Sequence, residues 1–90
     1  AIPRIFSLSQ NYPNPFNPVT KINYELPITN YVDLSVYNLL GQKVATLVDE
    51  RQESGYYQVD WDASGFASGI YYYRIEAGEF VDVKKMILMK

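Results

Sequence analysis

The stretch from Val32 to Val48, VDLSVYNLLGQKVATLV, restricts this chain to β structure more than any other part of it. Val32, Leu34 and Val36 alternate with Asp33, Ser35 and Tyr37, the period of two that belongs to a strand with one face buried and the other near water. A helix would need a period near 3.6, and no such stripe is present. The returning arm, from Gln42, is rich in β-branched residues, with Val44, Thr46 and Val48 on one face and Lys43, Ala45 and Leu47 on the other. Val44 and Leu47 are its expected core residues, and their odd spacing requires a β-bulge if both are to point inward. Between the arms, Asn38 and Gly41 tolerate positive φ, so the turn of this hairpin belongs there.

The remaining segments follow the same pattern. In TKINYEL, Thr20 to Leu26, Ile22, Tyr24 and Leu26 are inward and Lys21, Asn23 and Glu25 outward, and Pro27 ends the strand. Ile28 to Tyr31 then links to the hairpin, across a turn or between sheets. After Val48, DERQES (Asp49 to Ser54) is wholly polar and is expected as a solvated loop closed by Gly55. Tyr57, Val59 and Trp61 alternate with Tyr56, Gln58 and Asp60, which puts the sole tryptophan in phase with a buried face and makes it the expected centre of the core. Asp62 to Ser68 is a turn-rich crossover with Phe66 packing back. Tyr71, Tyr73 and Ile75 share one face of the next strand, Ile70, Tyr72 and Arg74 the other, and Ala77-Gly78-Glu79 is a hairpin turn into a last strand, Phe80 to Lys90. No capped helical stripe occurs anywhere. The expected fold is all-β, an immunoglobulin-like two-sheet antiparallel β-sandwich of six or seven strands, with Val36, Trp61 and Tyr71 in its core.

Ahead of the sandwich, residues 1–10 read as a linker or lead-in edge segment and residues 11–90 as the domain. The domain opens on a strap, Asn11, Tyr12, Pro13, Asn14, Pro15, Phe16, Asn17 and Pro18. Each proline removes a donor and pushes the residue before it out of the helical region, so a stiff extended segment is expected. Tyr12 and Phe16 are expected to pin it over one end of the core. A recognition strap is the second reading, although the repeated spacing of proline-rich ligands is missing.

Composition excludes most chemistry. The chain has no cysteine and no histidine, which removes disulfides, thiolate nucleophiles, the usual neutral-pH base and the commonest transition-metal ligand. Its net charge of −2, without a run of like charges, does not suit nucleic acid. No apolar run approaches the roughly 18 residues that a membrane helix needs, so no transmembrane segment is expected. The only close carboxylate pairs are Asp60 with Asp62 and Asp49 with Glu50, and these read as solvated loop acids rather than a catalytic dyad. A calcium site in the loops, with oxygen ligands from Asp60, Asp62 or Asp49, has no EF-hand spacing to support it. No enzyme activity and no cofactor are expected. Nine tyrosines raise a carbohydrate-binding or structural accessory β-sandwich module as the alternative, with Tyr56 and Tyr72 as outward candidates; cross-strand aromatic pairing is the preferred reading of both. The chain starts at Ala1 without an initiator methionine, and reads as a piece with something attached upstream.

The strap together with Thr20, Ile22, Tyr24 and Leu26-Pro27 resembles the opening of the type A C-terminal sorting domains of the type IX secretion system, also called Por secretion system sorting domains. The resemblance continues, in the same order, through Val36-Tyr37-Asn38, Gly41-Gln42 with Val44 and Leu47, Gly55, Trp61-Asp62-Ala63-Ser64-Gly65, Ser68-Gly69-Ile70-Tyr71, and Lys85-Met86 before Leu88 and Lys90. It covers roughly Leu8 to Lys90. At Tyr57 the family often has histidine, and tyrosine keeps the aromatic plug. The flagellar hook-capping protein has a domain of similar immunoglobulin-like fold but lacks the strap.

The resemblance implies a non-catalytic C-terminal module that directs an attached secreted protein, often a hydrolase, through the type IX outer-membrane translocon of a Gram-negative bacterium. It implies three partners: the translocon, a sortase-like peptidase and a covalently attached upstream cargo domain. It implies passage through the periplasm to the outside or the cell surface, and a natural C-terminus at Lys90. Lys85, Met86, Leu88 and Lys90 match the terminal motif and are the sorting or docking candidates. Met86 to Met89 is apolar on both faces, which fits either packing beneath the strap or docking, for example by adding a strand to a partner's sheet.

Overall fold

The computed structural model describes residues 2–90, and its seven strands form two antiparallel sheets. The strands are β1 (Ser7–Leu8), β2 (Val19–Leu26), β3 (Asn30–Tyr37), β4 (Lys43–Gln52), β5 (Gly55–Asp62), β6 (Gly69–Ala77) and β7 (Phe80–Leu88). Sheet order is β1-β2-β5 in one and β4-β3-β6-β7 in the other. No helix occurs among the described residues. The short link after Leu26 therefore crosses between sheets, as does the turn from β4 to β5. This is the immunoglobulin-like sandwich that the alternating sequence demands.

The inward phase of each strand supplies the core. Ile22, Tyr24 and Leu26 of β2, Val32, Leu34 and Val36 of β3, Tyr71, Tyr73 and Ile75 of β6, and Met86 and Leu88 of β7 are all buried. At one end, Trp61 collects three rings, with centroids 5.8 Å from Phe16, 5.3 Å from Phe66 and 5.5 Å from Tyr71. These tilted and edge-on arrangements are the ones that aromatic quadrupoles favour.

The hairpin of β3 and β4 turns at Asn38 to Gly41, and its register slips twice, between Leu34 and Ser35 and between Val36 and Tyr37. Leu34 faces Val48 while Ser35 faces Thr46, so Leu47 is the extra residue; Val36 faces Ala45 while Tyr37 faces Lys43, so Val44 is the other. Two bulges thus aim Val44 and Leu47 against the core, and the fully buried residue of the arm is Val48. Of the polar segment DERQES, only Glu53 and Ser54 form a loop. β4 continues to Gln52, with Asp49, Glu50, Arg51 and Gln52 paired to Asp33, Val32, Tyr31 and Asn30. Its side chains carry no apolar signal because this end of the strand lies on an exposed edge, where ladder bonds hold it together with polar side-chain contacts.

A candidate docking surface

The strap joins the two sheets and ends on the terminal strand. Phe16 is buried against Trp61 as expected, but Tyr12 is 78% exposed and holds the strap not by its ring but by a pair of 2.9 Å backbone hydrogen bonds with Lys21 of β2. Four residues on, the Phe16 N–H donates to the Ile87 carbonyl (3.0 Å) and the Phe16 carbonyl accepts from the Met89 N–H (2.9 Å), an isolated parallel bridge to β7. The Ile87 N–H donates to the Asn14 side-chain oxygen at 3.0 Å, and the Gln10 amide donates to the Lys85 carbonyl at 2.7 Å. The strap is not one extended run, since the chain bends between these two contacts. All three of its X-Pro bonds are cis.

Buried polar groups lock this path. The Tyr73 hydroxyl donates to the Ser9 carbonyl (2.6 Å) and accepts from the Asn11 N–H (2.7 Å). The Asn11 amide donates to Thr20 Oγ1 at 3.0 Å, and the Thr20 hydroxyl donates to the Pro13 carbonyl at 2.9 Å. Asn11 and Thr20 are almost fully buried, and no buried side-chain nitrogen or oxygen among the described residues lacks a partner. Burial pushes the Tyr73 phenol up to about 12, partly offset by its bond from the Asn11 amide.

The four terminal candidates divide. Met86 and Leu88 are core residues, whereas Lys85 and Lys90 are exposed. Lys90 is tied down, its N–H donating to Ser68 Oγ (3.0 Å) and its ammonium to the Ser64 carbonyl (2.6 Å). Because the backbone groups of Ile87 face the strap, those of Val81, Val83 and Lys85 face the same way. Strand addition to β7 is therefore closed at Ile87 and Met89 and open only nearer the start of the strand.

Lys85 stands in a row that the register assembles across the outer face of the larger sheet: Lys43 opposite Tyr37, Tyr37 opposite Tyr72, and Tyr72 opposite Lys85. A second row, Asp49, Asp33 and Glu76, crosses the same face further from the β3–β4 turn. Each acid accepts a bond from a neighbour: Tyr31 bonds Asp49, Ser35 bonds Asp33 at 2.6 Å, and Arg74 bonds Glu76 at 3.5 Å. The hydrogen bond to Asp49 and the surrounding carboxylates raise the Tyr31 phenol above its ordinary value. Asp60 pairs with Lys21, and Asp62 bonds both the amide and the hydroxyl of Ser64, which hold its carboxyl below the ordinary value, with Lys90 adding to the effect. Among the described residues no group of three or more acids is arranged to hold a metal ion.

Tyr56 and Tyr72 lie on different sheets, each in its outward phase, and so face away from each other across the sandwich. Tyr56 rims a shallow cavity of about 350 Å³ lined also by Asn23, Glu25 and Gln58. Beneath it Tyr24 and Tyr57 stack at 5.2 Å, and Tyr24 donates to Gln52 at 2.5 Å.

Sequence reasoning passed over Gln10, Lys43 and the pair Leu39-Leu40, and placed Asn14 in the strap without its tie to β7. The leucines did carry a signal, because two consecutive apolar residues inside a turn break the expectation that turns are polar. Residues 10–89 match the model of a protein family described as the secretion system C-terminal sorting domain. No curated protein matches the chain. No helix among the described residues is long and apolar enough to cross a membrane.

Proposed function

This chain belongs to the family of C-terminal sorting domains of the type IX secretion system, and from that membership we propose that it is the non-catalytic address of a secreted cargo protein, read by the outer-membrane translocon. A sorting domain of this kind implies delivery to the cell surface or beyond in a Gram-negative bacterium. The observation that carries the proposal is the extent of the match, which takes in both the strap and the terminal strand.

In this reading the domain works as a rigid presenter. The strap fastens β7 along its outer edge, so that the receptor meets a single arrangement of Lys85 and Lys90 and little ordering entropy is lost on binding. Met86 and Leu88 contribute by anchoring the strand in the core, and Lys85 and Lys90 supply the charges that a partner can touch. After translocation a sortase-like peptidase separates the upstream cargo from this module. The type A subgroup fits the order of its motifs.

The experiment is to attach the chain to a reporter behind an export signal, in a host with a type IX system, and to compare Lys85→Ala and Lys90→Ala with the unaltered fusion. Loss of extracellular reporter in the Lys85 variant, with the fusion still folded in the periplasm, is the expected result. Undiminished export of both variants would remove these lysines from the address.

A further inference from the structure

We infer that the end of the sandwich carrying Leu39 and Leu40 docks onto an anionic lipid surface. Leu39 is 65% exposed and Leu40 83%, at the tip of a turn that cannot fold them inward. Asn38 donates its N–H to the Gln42 carbonyl (3.0 Å), its carbonyl accepts from the Gly41 N–H (3.0 Å), and its side-chain oxygen accepts from the N–H groups of both Leu40 (2.9 Å) and Gln42 (3.0 Å). Gly41 sits at φ 82°, which keeps this turn in the one conformation that glycine allows readily. The two leucines are thus held outward.

The rest of that end is ordered by depth. Ile70 opposite Ile87 lies next to the tip on the outer face of the larger sheet, with Met89, 57% exposed, beyond it. The row Lys43, Tyr37, Tyr72 and Lys85 comes next, aromatic in the middle and basic at both sides. Asp49, Asp33 and Glu76 follow, four residues along β3 and β6 and therefore about 13 Å further from the tip. That separation exceeds a Debye length of about 8 Å, so the acids scarcely feel a charged surface touched by the lysines. On the smaller sheet the acid at this end is Asp62, which is bonded to Ser64 and faces Lys90. Aliphatic side chains at the tip, then aromatic and basic ones together in one row, then acidic ones is an order that suits a bilayer, with acyl chains first, then the interface with its headgroup phosphates, then water. A protein pocket has no reason to sort residues by depth.

Vesicle sedimentation tests this without any translocon, so its failure and that of the sorting assignment are separable. The unaltered chain is titrated with phosphatidylcholine vesicles, with and without phosphatidylglycerol. It is expected to sediment with the phosphatidylglycerol vesicles and to be released by salt. Leu39→Ser with Leu40→Ser is expected to weaken this about tenfold or more, through loss of apolar contact with the acyl region. Lys43→Ser with Lys85→Ser is expected to abolish the preference for phosphatidylglycerol. These positions are exposed, and an unchanged denaturation midpoint verifies that each variant is folded. An unaltered chain that stays in the supernatant with both vesicles, or a leucine variant that sediments as well as it, overturns the inference; with export retained, the former result would assign the tip to a protein pocket instead.

Discussion

The side-chain oxygen of Asn14 accepts the backbone N–H of Ile87 at 3.0 Å, although the two residues are 73 apart in sequence. With the two Phe16 backbone bonds and the Gln10 bond to Lys85, it fixes the head of the chain to its tail, and at the Ile87 N–H it takes the place of a neighbouring strand. Asn14→Ala should cost about 1 kcal/mol, the net value of a typical hydrogen bond, and should speed amide exchange at Ile87 more than at the centre of β6. Exchange at Ile87 as slow as in the unaltered chain would mean that the strap is not what protects this edge.

Trp61→Ala should cost roughly 3 to 5 kcal/mol, because it empties a site bounded by Phe16, Phe66 and Tyr71. A small domain has little more than that to lose. Urea denaturation checks it, and a loss below about 1 kcal/mol would contradict the packing described for this end.

Alkaline pH should loosen the latch. Burial raises the phenols of Tyr24 and Tyr73 to about 12, against 10.0 in an exposed tyrosine. Between these values the unfolded chain has released protons that the folded chain still holds, so stability is intact below about pH 10 and falls as pH rises towards 12. The urea midpoint should decline across that window, and Tyr73→Phe should make the decline shallower. A midpoint that is flat from pH 10 to 12 would show that neither phenol is held by burial.

No polysaccharide should bind saturably. Tyr56 and Tyr72 occupy opposite outer faces and cannot form one stacking platform. Isothermal titration or affinity electrophoresis decides the matter. Retention by a polysaccharide that is abolished by Tyr56→Ala, with the fold intact, would favour the carbohydrate-binding alternative at the cavity beside Glu25 and Gln58.

The hairpin of β3 and β4 was legible because Val32, Leu34 and Val36 alternate and Asn38 and Gly41 punctuate the turn. The alternation of Tyr71, Tyr73 and Ile75 with Tyr72 and Arg74 revealed β6 by the same argument. The far end of β4 was hidden, since Asp49 to Gln52 is held by backbone ladder bonds that leave no mark on side-chain pattern. The row Lys43, Tyr37, Tyr72 and Lys85 was hidden for another reason. Lys43 joins it only because bulges at Leu47 and Val44 reset the register, and the suspicion of a bulge does not say which residues will then stand opposite each other. The ties of Gln10 and Asn14 to β7 are hydrogen bonds between sequence-distant segments, for which composition and periodicity offer no signal.

The most direct test of the sorting assignment is a transfer of address. A reporter carrying an N-terminal export signal is produced in a type IX host with and without residues 1–90 fused at its C-terminus, and the reporter is assayed outside the cells and in the periplasm. The account predicts that the fused reporter appears outside and that the bare one stays periplasmic. A fused reporter that is folded and stable, yet retained in the periplasm like the bare one, would contradict it.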